Sequence, residues 1–372
     1  MQAGAPPLRG LVVVALEQAV AAPYCSMRMA DAGARVIKIE RAEGDFARGY
    51  DRAAAGSSSY FVWLNRGKQS LVADIKNTDD AALLQRIVAG ADVFIQNLAP
   101  GAAARAGFGA TTLRAGNTRL ITLDISGYGE ASDYADMKAY DLLVQAESGL
   151  ASITGHPAGP GRVGVSVCDI ACGLTAYSAV LEALIARGIS GEGRALSVSL
   201  FDSIADWMNV PLLYFEGTGI APPRVGLAHP SICPYGAFAL ADASMVLIAI
   251  QNDREWADFC GAVLLVPELS GHPDFATNAG RVANRVAVDG IVGKVLSGLA
   301  RVSAVGRLRA ARTAFGFVND MAGLAAHPAL RRTEVATQGG AVRVIAPPVG
   351  YGDLGPVPGI GQHSAAIRRE FG

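Results

Sequence analysis

A chain of 372 residues suits about two domains and is long enough to bury a large core. With 51% apolar residues, 17% charged residues and a net charge of −1, it carries no bulk attraction for nucleic acid or acidic membranes. A mean hydropathy of +0.29 leads us to expect much surface buried against a second subunit.

The apolar run over residues 11–22 looks like a secretory leader. Glu17 and Gln18 interrupt it, however, and Arg9 alone makes a poor basic flank. No stretch reaches ~18 uninterrupted apolar residues, so no membrane span is expected. Cys25, Cys168, Cys172, Cys233 and Cys260 are an odd number in no dense framework. They read as reduced thiols of a cytoplasmic protein, and with the scattered histidines they offer no metal spacing.

The first half alternates strand and helix signals. Residues 11–14 read as a buried strand, 24–32 as a helix closed by Gly33, and 36–40 as a second strand. A helix over 79–89 ends at Gly90, strands follow at 92–96 and 120–126, and a helix spans 140–153. A strand at 195–199 leads into a helix through about residue 214. This is the rhythm of a mostly parallel sheet with helices on its faces. The texture changes over 217–234, where Pro222, Pro223, Pro230 and Pro234 suit a linker or an active-site loop. Beyond it, a strand at 245–250 and helices near 254–263, 286–299 and 302–314 form a smaller α+β unit. The tail, with a strand at 342–346 and a helix near 364–370, returns to the first domain. The expected division is 1–200, a linker at 201–225, a small domain at 226–318, and a linker and return at 319–372.

The most informative segment is V-G-V-S-V-C-D-I-A-C-G, residues 163–173. Small and apolar residues alternate up to Cys168. After Asp169, Ile170, Leu174, Tyr177, Leu181 and Leu184 recur at helical spacing. Asp169 is thus expected at a strand-to-helix corner, where free N–H groups and the helix dipole would keep it ionised. It reads either as a nucleophile or as a simple helix cap. The match of Gly159, Gly161 and Gly164 to G-x-G-x-x-G follows no strand, so no dinucleotide site is inferred.

Polar residues also gather just past strand ends: Arg41, Lys76, Asn97 with Leu98, and then Arg105, with Lys138 ahead of a helix. In open α/β sheets, ligands sit outside the carboxyl ends of the strands, and cations there suit several phosphates. Only five lysines occur, Lys38, Lys68, Lys76, Lys138 and Lys294. Four fall in the first 140 residues, which suggests deliberate placement.

With these segments in view the chain resembles the family III CoA-transferases along nearly its whole length. The likeness rests on L-R-G-L-V-V-V-A-L-E-Q-A-V-A-A-P (8–23), A-R-V-I-K-I-E-R (34–41), G-D-F-A-R-G (44–49) and N-R-G-K-Q-S-L-V-A-D-I-K (65–76). It continues through Q-N-L-A-P-G (96–101), A-R-A-G-F (104–108), M-K-A-Y-D (137–141), V-C-D-I-A-C-G (167–173) and H-P-A-L-R (327–331). The resemblance implies that Asp169 is the nucleophile. Arg41, Lys76 and Arg105 would meet the CoA phosphates or ribose, and Ala73, Asn97 and Leu98 would line the adenine pocket. Gln18, Ala19 and Val20, with Ala21, would form the pantetheine entry, and Lys138 and Tyr140 would flank the thioester. CoA is then a substrate, and no further cofactor or metal is implied. The fold implied is a large Rossmann-like α/β domain with a smaller α+β domain, in ring-shaped subunits interlocked as a homodimer.

The segment G-L-A-H-P-S-I-C-P-Y-G-A-F (226–238), with I-Q-N-D-R-E-W (250–256), resembles the subgroup handling mesaconate, citramalate or itaconate. His229 there is a candidate ligand for a substrate carboxylate. Arg48 is either a phosphate or distal-carboxylate ligand or half of a scaffold ion pair. Two rival functions are an α-methylacyl-CoA racemase and a CoA-binding protein without catalysis. In the racemase pattern a histidine stands where this chain has Tyr140, and a phenol titrating near ~10 is a poor base at neutral pH. Helix-start N–H groups, with small residues at Ala171, Cys172 and Gly173, are expected to stabilise oxyanions and admit substrate.

Overall fold

The computed structural model describes residues 5–129 and 133–372. Two compact units emerge. The first comprises residues up to 151, 162–213 and 331–372, and the second 152–161 and 214–330.

In the first unit, strands β1 (Val12–Leu16), β2 (Arg35–Glu40), β3 (Lys68–Val72), β4 (Val93–Gln96), β5 (Ile121–Ser126) and β6 (Ala195–Ser199) form one sheet. All neighbours pair in parallel, in the order β3-β2-β1-β4-β5-β6. Strands such as V-V-V-A-L are apolar on both sides because both faces are covered. Helices α1 (Ala21–Asp31), α2 (Thr78–Ala89), α3 (Asp141–Glu147) and α4 (Val167–Ser190) follow in chain order. Ala22, Cys25 and Met29 of α1 and Ala176 and Val180 of α4 pack with Val13, Ile95 and Leu123 on one face. Leu83, Leu84 and Ile87 of α2 pack with Val14, Ile37 and Phe94 on the other. The strand order reverses between β1 and β4, the kind of point at which open α/β sheets bind their ligands, outside the carboxyl ends of the strands.

The second unit is built on an antiparallel sheet of Tyr235–Ala239, Met245–Ala249 and Ala314–Phe317. Trp256, Phe259, Val292 and Leu308 close its core.

Several expectations are corrected. Residues 163–166 join no strand, and α4 begins at Val167, so Asp169 is the third helical residue rather than a strand-to-helix corner. The helix expected over 140–153 breaks at Gly149, φ +81°, leaving α3 and a turn at Leu150–Ile153. Residues 201–225, expected as a linker, largely form helices α5 (Leu200–Trp207) and α6 (Asn209–Thr218). Residues 319–330 belong to the second unit rather than to the return. A strand at Arg332–Thr337 escaped sequence reading because only Val335 in it is buried; it pairs with Gly340–Ile345. By length and composition, α4 is apolar enough to cross a membrane. Its Cys168, Ala171, Cys172, Ala176, Val180 and Ala183 are buried inside the first unit instead.

Gly173 also takes a different role from the one expected. A Cβ there would lie 2.6 Å from the Ala21 carbonyl oxygen and 2.9 Å from Tyr24 Cβ. The missing side chain therefore admits α1, not substrate. Gly173→Ala should push α1 outward and cost roughly 1–3 kcal/mol. A lower urea midpoint measures this; an unchanged midpoint would mean that α1 yields without strain.

Candidate active site

Asp169 opens α4, but the helix start is already occupied. Asp141, buried at the head of α3, accepts hydrogen bonds at Oδ1 from the N–H of Cys168 (2.8 Å) and of Asp169 (3.4 Å). Its Oδ2 accepts from Gln145 Nε2 at 2.7 Å, and Gln145 Oε1 in turn takes the Val163 N–H at 2.8 Å. The Val167 N–H goes to the Val165 carbonyl and the Ile170 N–H to Ser166. The whole first turn of amides is therefore satisfied within the chain, and the expected oxyanion donors are not free. A borrowed carboxylate caps the helix.

Asp169 itself is half-buried. Burial, followed by the negative charge of Asp141, pushes its carboxyl up to about 7. This reverses the expectation that the helix start would keep it firmly ionised. The amides that would have done so serve Asp141, and a like charge stands beside it. The neighbouring thiols are poor rivals as nucleophiles, since burial pushes Cys168 and Cys172 up to about 12.

Aromatic side chains that sequence reading missed surround this position. Tyr50 and Tyr60 meet edge to face at 5.4 Å, and Phe46 lies 5.8 Å from Tyr50. The Tyr60 hydroxyl is 3.4 Å from Ser166 Oγ, at the residue preceding α4. Burial, then the charges of Asp45 and Asp169, push the Tyr50 phenol up to about 12. Tyr140, 62% exposed, immediately precedes Asp141, and Lys138 is exposed two residues earlier. No motif marked Tyr50 or Tyr60, whereas Asp141 was visible inside M-K-A-Y-D.

At the sheet edge, the turn after β1 and the end of β4 are stitched together. Asn97 Oδ1 accepts the Gln18 N–H, and Asn97 Nδ2 donates to the Gln18 carbonyl, both at 2.9 Å. The Asn97 carboxamide thereby fixes the turn. Ala19 adopts a left-handed φ of +65°, and Val20 is buried at the start of α1. Arg41, Lys76 and Arg105 are exposed beyond the carboxyl ends of β2, β3 and β4, which the parallel pairing puts on one edge. Ala73 is buried, its N–H on the Glu40 carbonyl at 3.0 Å. Leu98 is half-buried, its N–H on Gln96 Oε1 at 2.8 Å.

Arg48 makes the scaffold ion pair. Its Nε and Nη2 grip Glu40 at 2.8 and 2.7 Å, and Nη1 donates to the Pro358 carbonyl at 3.2 Å. The guanidinium stacks 3.6 Å over Phe61, and with burial opposing, Arg48 and Lys38 hold the Glu40 carboxyl down at about 2. A phosphate or substrate carboxylate would have to displace Glu40, so of its two expected roles Arg48 fills that of the scaffold ion pair.

In the second unit, His229 stacks on Tyr235 at 5.2 Å, and its Nδ1 accepts the Ser231 N–H at 3.2 Å. Its loop is clasped from below. Arg285 donates to the His229 and Ile232 carbonyls at 2.8 and 2.9 Å, and Arg281 to the Cys233 carbonyl at 2.7 Å.

The fold and site define an α/β enzyme with exposed cations along one sheet edge and a carboxyl group raised to about 7. Residues 8–364 match the family model described as CoA-transferase family III, and the chain belongs to that family. It is 34% identical to acetyl-CoA:oxalate CoA-transferase of Acetobacter aceti, over 98% of this chain and 96% of that protein. It is 38% identical to succinate–glutarate CoA-transferase of Agrobacterium fabrum, over 77% and 74%. The crystal structure of a CaiB/BaiF family protein from Brucella suis matches with a TM-score of 0.86 at 32% identity, covering 99% of this chain and all of that one.

The paired carboxylates lead to two expectations. Asp141→Asn keeps an oxygen for the Cys168 N–H but removes the like charge, so Asp169 should titrate below its value of about 7. Carboxyl-carbon NMR of the two proteins reads the shift, and an unmoved Asp169 resonance would deny the coupling. A carboxyl raised in the folded state favours folding fully only below its unfolded pKa, and that contribution is lost as pH rises through the folded value. Asp169→Asn should therefore melt higher than wild type above pH ~7 and equally near pH ~4, as calorimetry would record.

Proposed function

We propose that this enzyme moves CoA from an acyl-CoA thioester to a small dicarboxylate, with Asp169 as the nucleophile. The observation that carries the reading is the half-buried carboxyl of Asp169, raised to about 7 by burial and Asp141. A desolvated carboxylate of raised basicity is a better nucleophile than one tied down by helix amides.

The Asp169 carboxylate attacks the thioester carbonyl carbon. The C–S bond breaks, leaving a mixed anhydride and CoA thiolate. The thiolate attacks the aspartyl carbonyl, which releases the donor acid and forms an aspartyl-CoA thioester. The acceptor carboxylate attacks that thioester, giving a second anhydride and free thiolate. The thiolate then attacks the acceptor's acyl carbon and frees Asp169. Thioester is exchanged for thioester, so no ATP is consumed.

With the first-turn amides of α4 occupied, oxyanion stabilisation falls to side chains such as Tyr60, Tyr140 and Gln18. Arg41, Lys76 and Arg105 suit the CoA phosphates, Ala73 and Leu98 the nucleotide end, and the turn Gln18–Val20 the pantetheine arm. Lys138 and Tyr140 flank the thioester, and His229 takes a substrate carboxylate. Similarity to an acetyl-CoA:oxalate CoA-transferase and a succinate–glutarate CoA-transferase supports a dicarboxylate acceptor. The segment 226–238 favours a C4–C5 acid. Five free buried cysteines support a cytoplasmic setting. Along α6 no residue is buried, and Val210, Leu212, Leu213 and Phe215 are exposed. A partner in an interlocked homodimer would cover such a face.

Asp169→Ala should abolish CoA transfer, and hydroxylamine added with acyl-CoA should mark Asp169, as peptide mass spectrometry would reveal. Wild-type turnover in that variant would end the reading. Supplying donors and dicarboxylate acceptors in a panel, with positional isomers resolved chromatographically, identifies the substrates. It also separates transfer between molecules from transfer between two carboxylates of one molecule.

A further inference from the structure

Two of the five lysines lie wholly inside the first unit, beneath the turn between β1 and α1. The side chains of Glu17, Lys38 and Lys68 are all 0% exposed. Lys68 Nζ bonds Glu17 Oε1 at 2.7 Å, the Pro23 carbonyl at 3.1 Å and Asn65 Oδ1 at 3.2 Å. Ser26 donates to Glu17 Oε2 at 2.6 Å. Lys38 Nζ lies 2.8 Å from Asp45 Oδ2 and 3.5 Å from Glu17 Oε1. Two positive and two negative groups are thus sealed together, although burying each ion costs several kcal/mol before pairing. Apolar residues of similar volume often fill such a space with no loss of stability, so stability alone does not account for the arrangement.

What the cluster touches does account for it. Lys38 Nζ donates to the Glu17 carbonyl at 3.3 Å, and Asp45 Oδ1 accepts the Ala19 N–H at 3.2 Å. Asp45 Oδ1 also takes the Ala47 N–H at 2.9 Å. Ala19 has no freedom to hold φ +65° cheaply, as glycine would; a left-handed non-glycine residue costs roughly 1–2 kcal/mol. Asn97 fixes the neighbouring Gln18 amide from the other side. The backbone of the turn is clamped from below by charged groups that never reach solvent, at the point where the strand order reverses.

We propose that Lys38 and Asp45 are positioning residues, which lock the turn Glu17–Val20 in the strained shape that receives the thioester arm of acyl-CoA. This rests on the reading that the turn meets pantetheine. Lys38 acts through Asp45 and the Glu17 carbonyl, and neither charged group needs to touch substrate.

Calorimetric titration of the intact protein with free CoA tests it. Ala19→Val puts a β-branched residue at a half-buried position where φ +65° is closed to it, leaving every charged side chain of the buried cluster in the chain. It should weaken CoA binding roughly tenfold. Asp45→Ala should do the same, whereas Asp45→Asn, which keeps an oxygen for the Ala19 N–H, should restore most of the affinity. Hydrogen exchange should show the Ala19 amide protected in wild type and Asp45→Asn and released in Asp45→Ala. A merely structural role would lower melting temperature without this rescue pattern. Wild-type affinity in Ala19→Val overturns the inference alone, even where the Asp45 variants do not fold. A wild-type protein that fails to bind CoA overturns the functional reading and this inference together.

Discussion

The interaction on which the site depends is a helix cap supplied from elsewhere in the chain. Asp141 reaches across from α3 to the opening amides of α4. Helix starts attract anions because four N–H groups there lack intrahelical partners and the dipole is positive. Once Asp141 has satisfied them, a second carboxylate two residues into the helix gains little from that field. It instead feels the like charge and the partial loss of water. Asp169 is left with raised proton affinity at a half-buried position, a costly state that the surrounding fold must sustain.

The fold sustains it by close packing around α4. Gly173 lets α1 lie against α4 at backbone distance, which packs together the two helices that carry the turn and the carboxyl group. Asn97 ties the same turn to β4. Buried charges hold it from below, and the parallel sheet brings Arg41, Lys76 and Arg105 to a common edge. Asp169 and the exposed cations of the sheet edge are thus connected through α1 and its leading turn.

Charge placement in this chain follows two rules. Exposed cations sit past strand ends, where a polyanionic ligand is expected. Buried ones are matched by carboxylates and spend their donors on backbone carbonyls. Arg48 shows how near the two can lie: three residues from Asp45, it closes on Glu40 and Phe61 instead of facing a ligand. The clasp of Arg281 and Arg285 beneath the His229 loop repeats the device in the second unit.

Much of this was written in the sequence. Apolar runs of four to six residues between helical periods fix a parallel sheet, because strands buried on both faces need no alternation. The segments past those strands mark the edge proposed for the ligand, and V-C-D-I-A-C-G marks the proposed nucleophile. Local pattern could not reveal what depends on groups distant in the chain. That Asp141 would cap α4 twenty-eight residues away, that Asn97 would face Gln18, and that Arg48 would find Glu40 are matters of three-dimensional proximity. The same holds for the proton affinity of Asp169. Its environment is set by which neighbour takes the helix amides first, and periodicity carries no information about that competition. Sequence determined which residues could do chemistry; only tertiary structure decided which charges and donors remained available to do it.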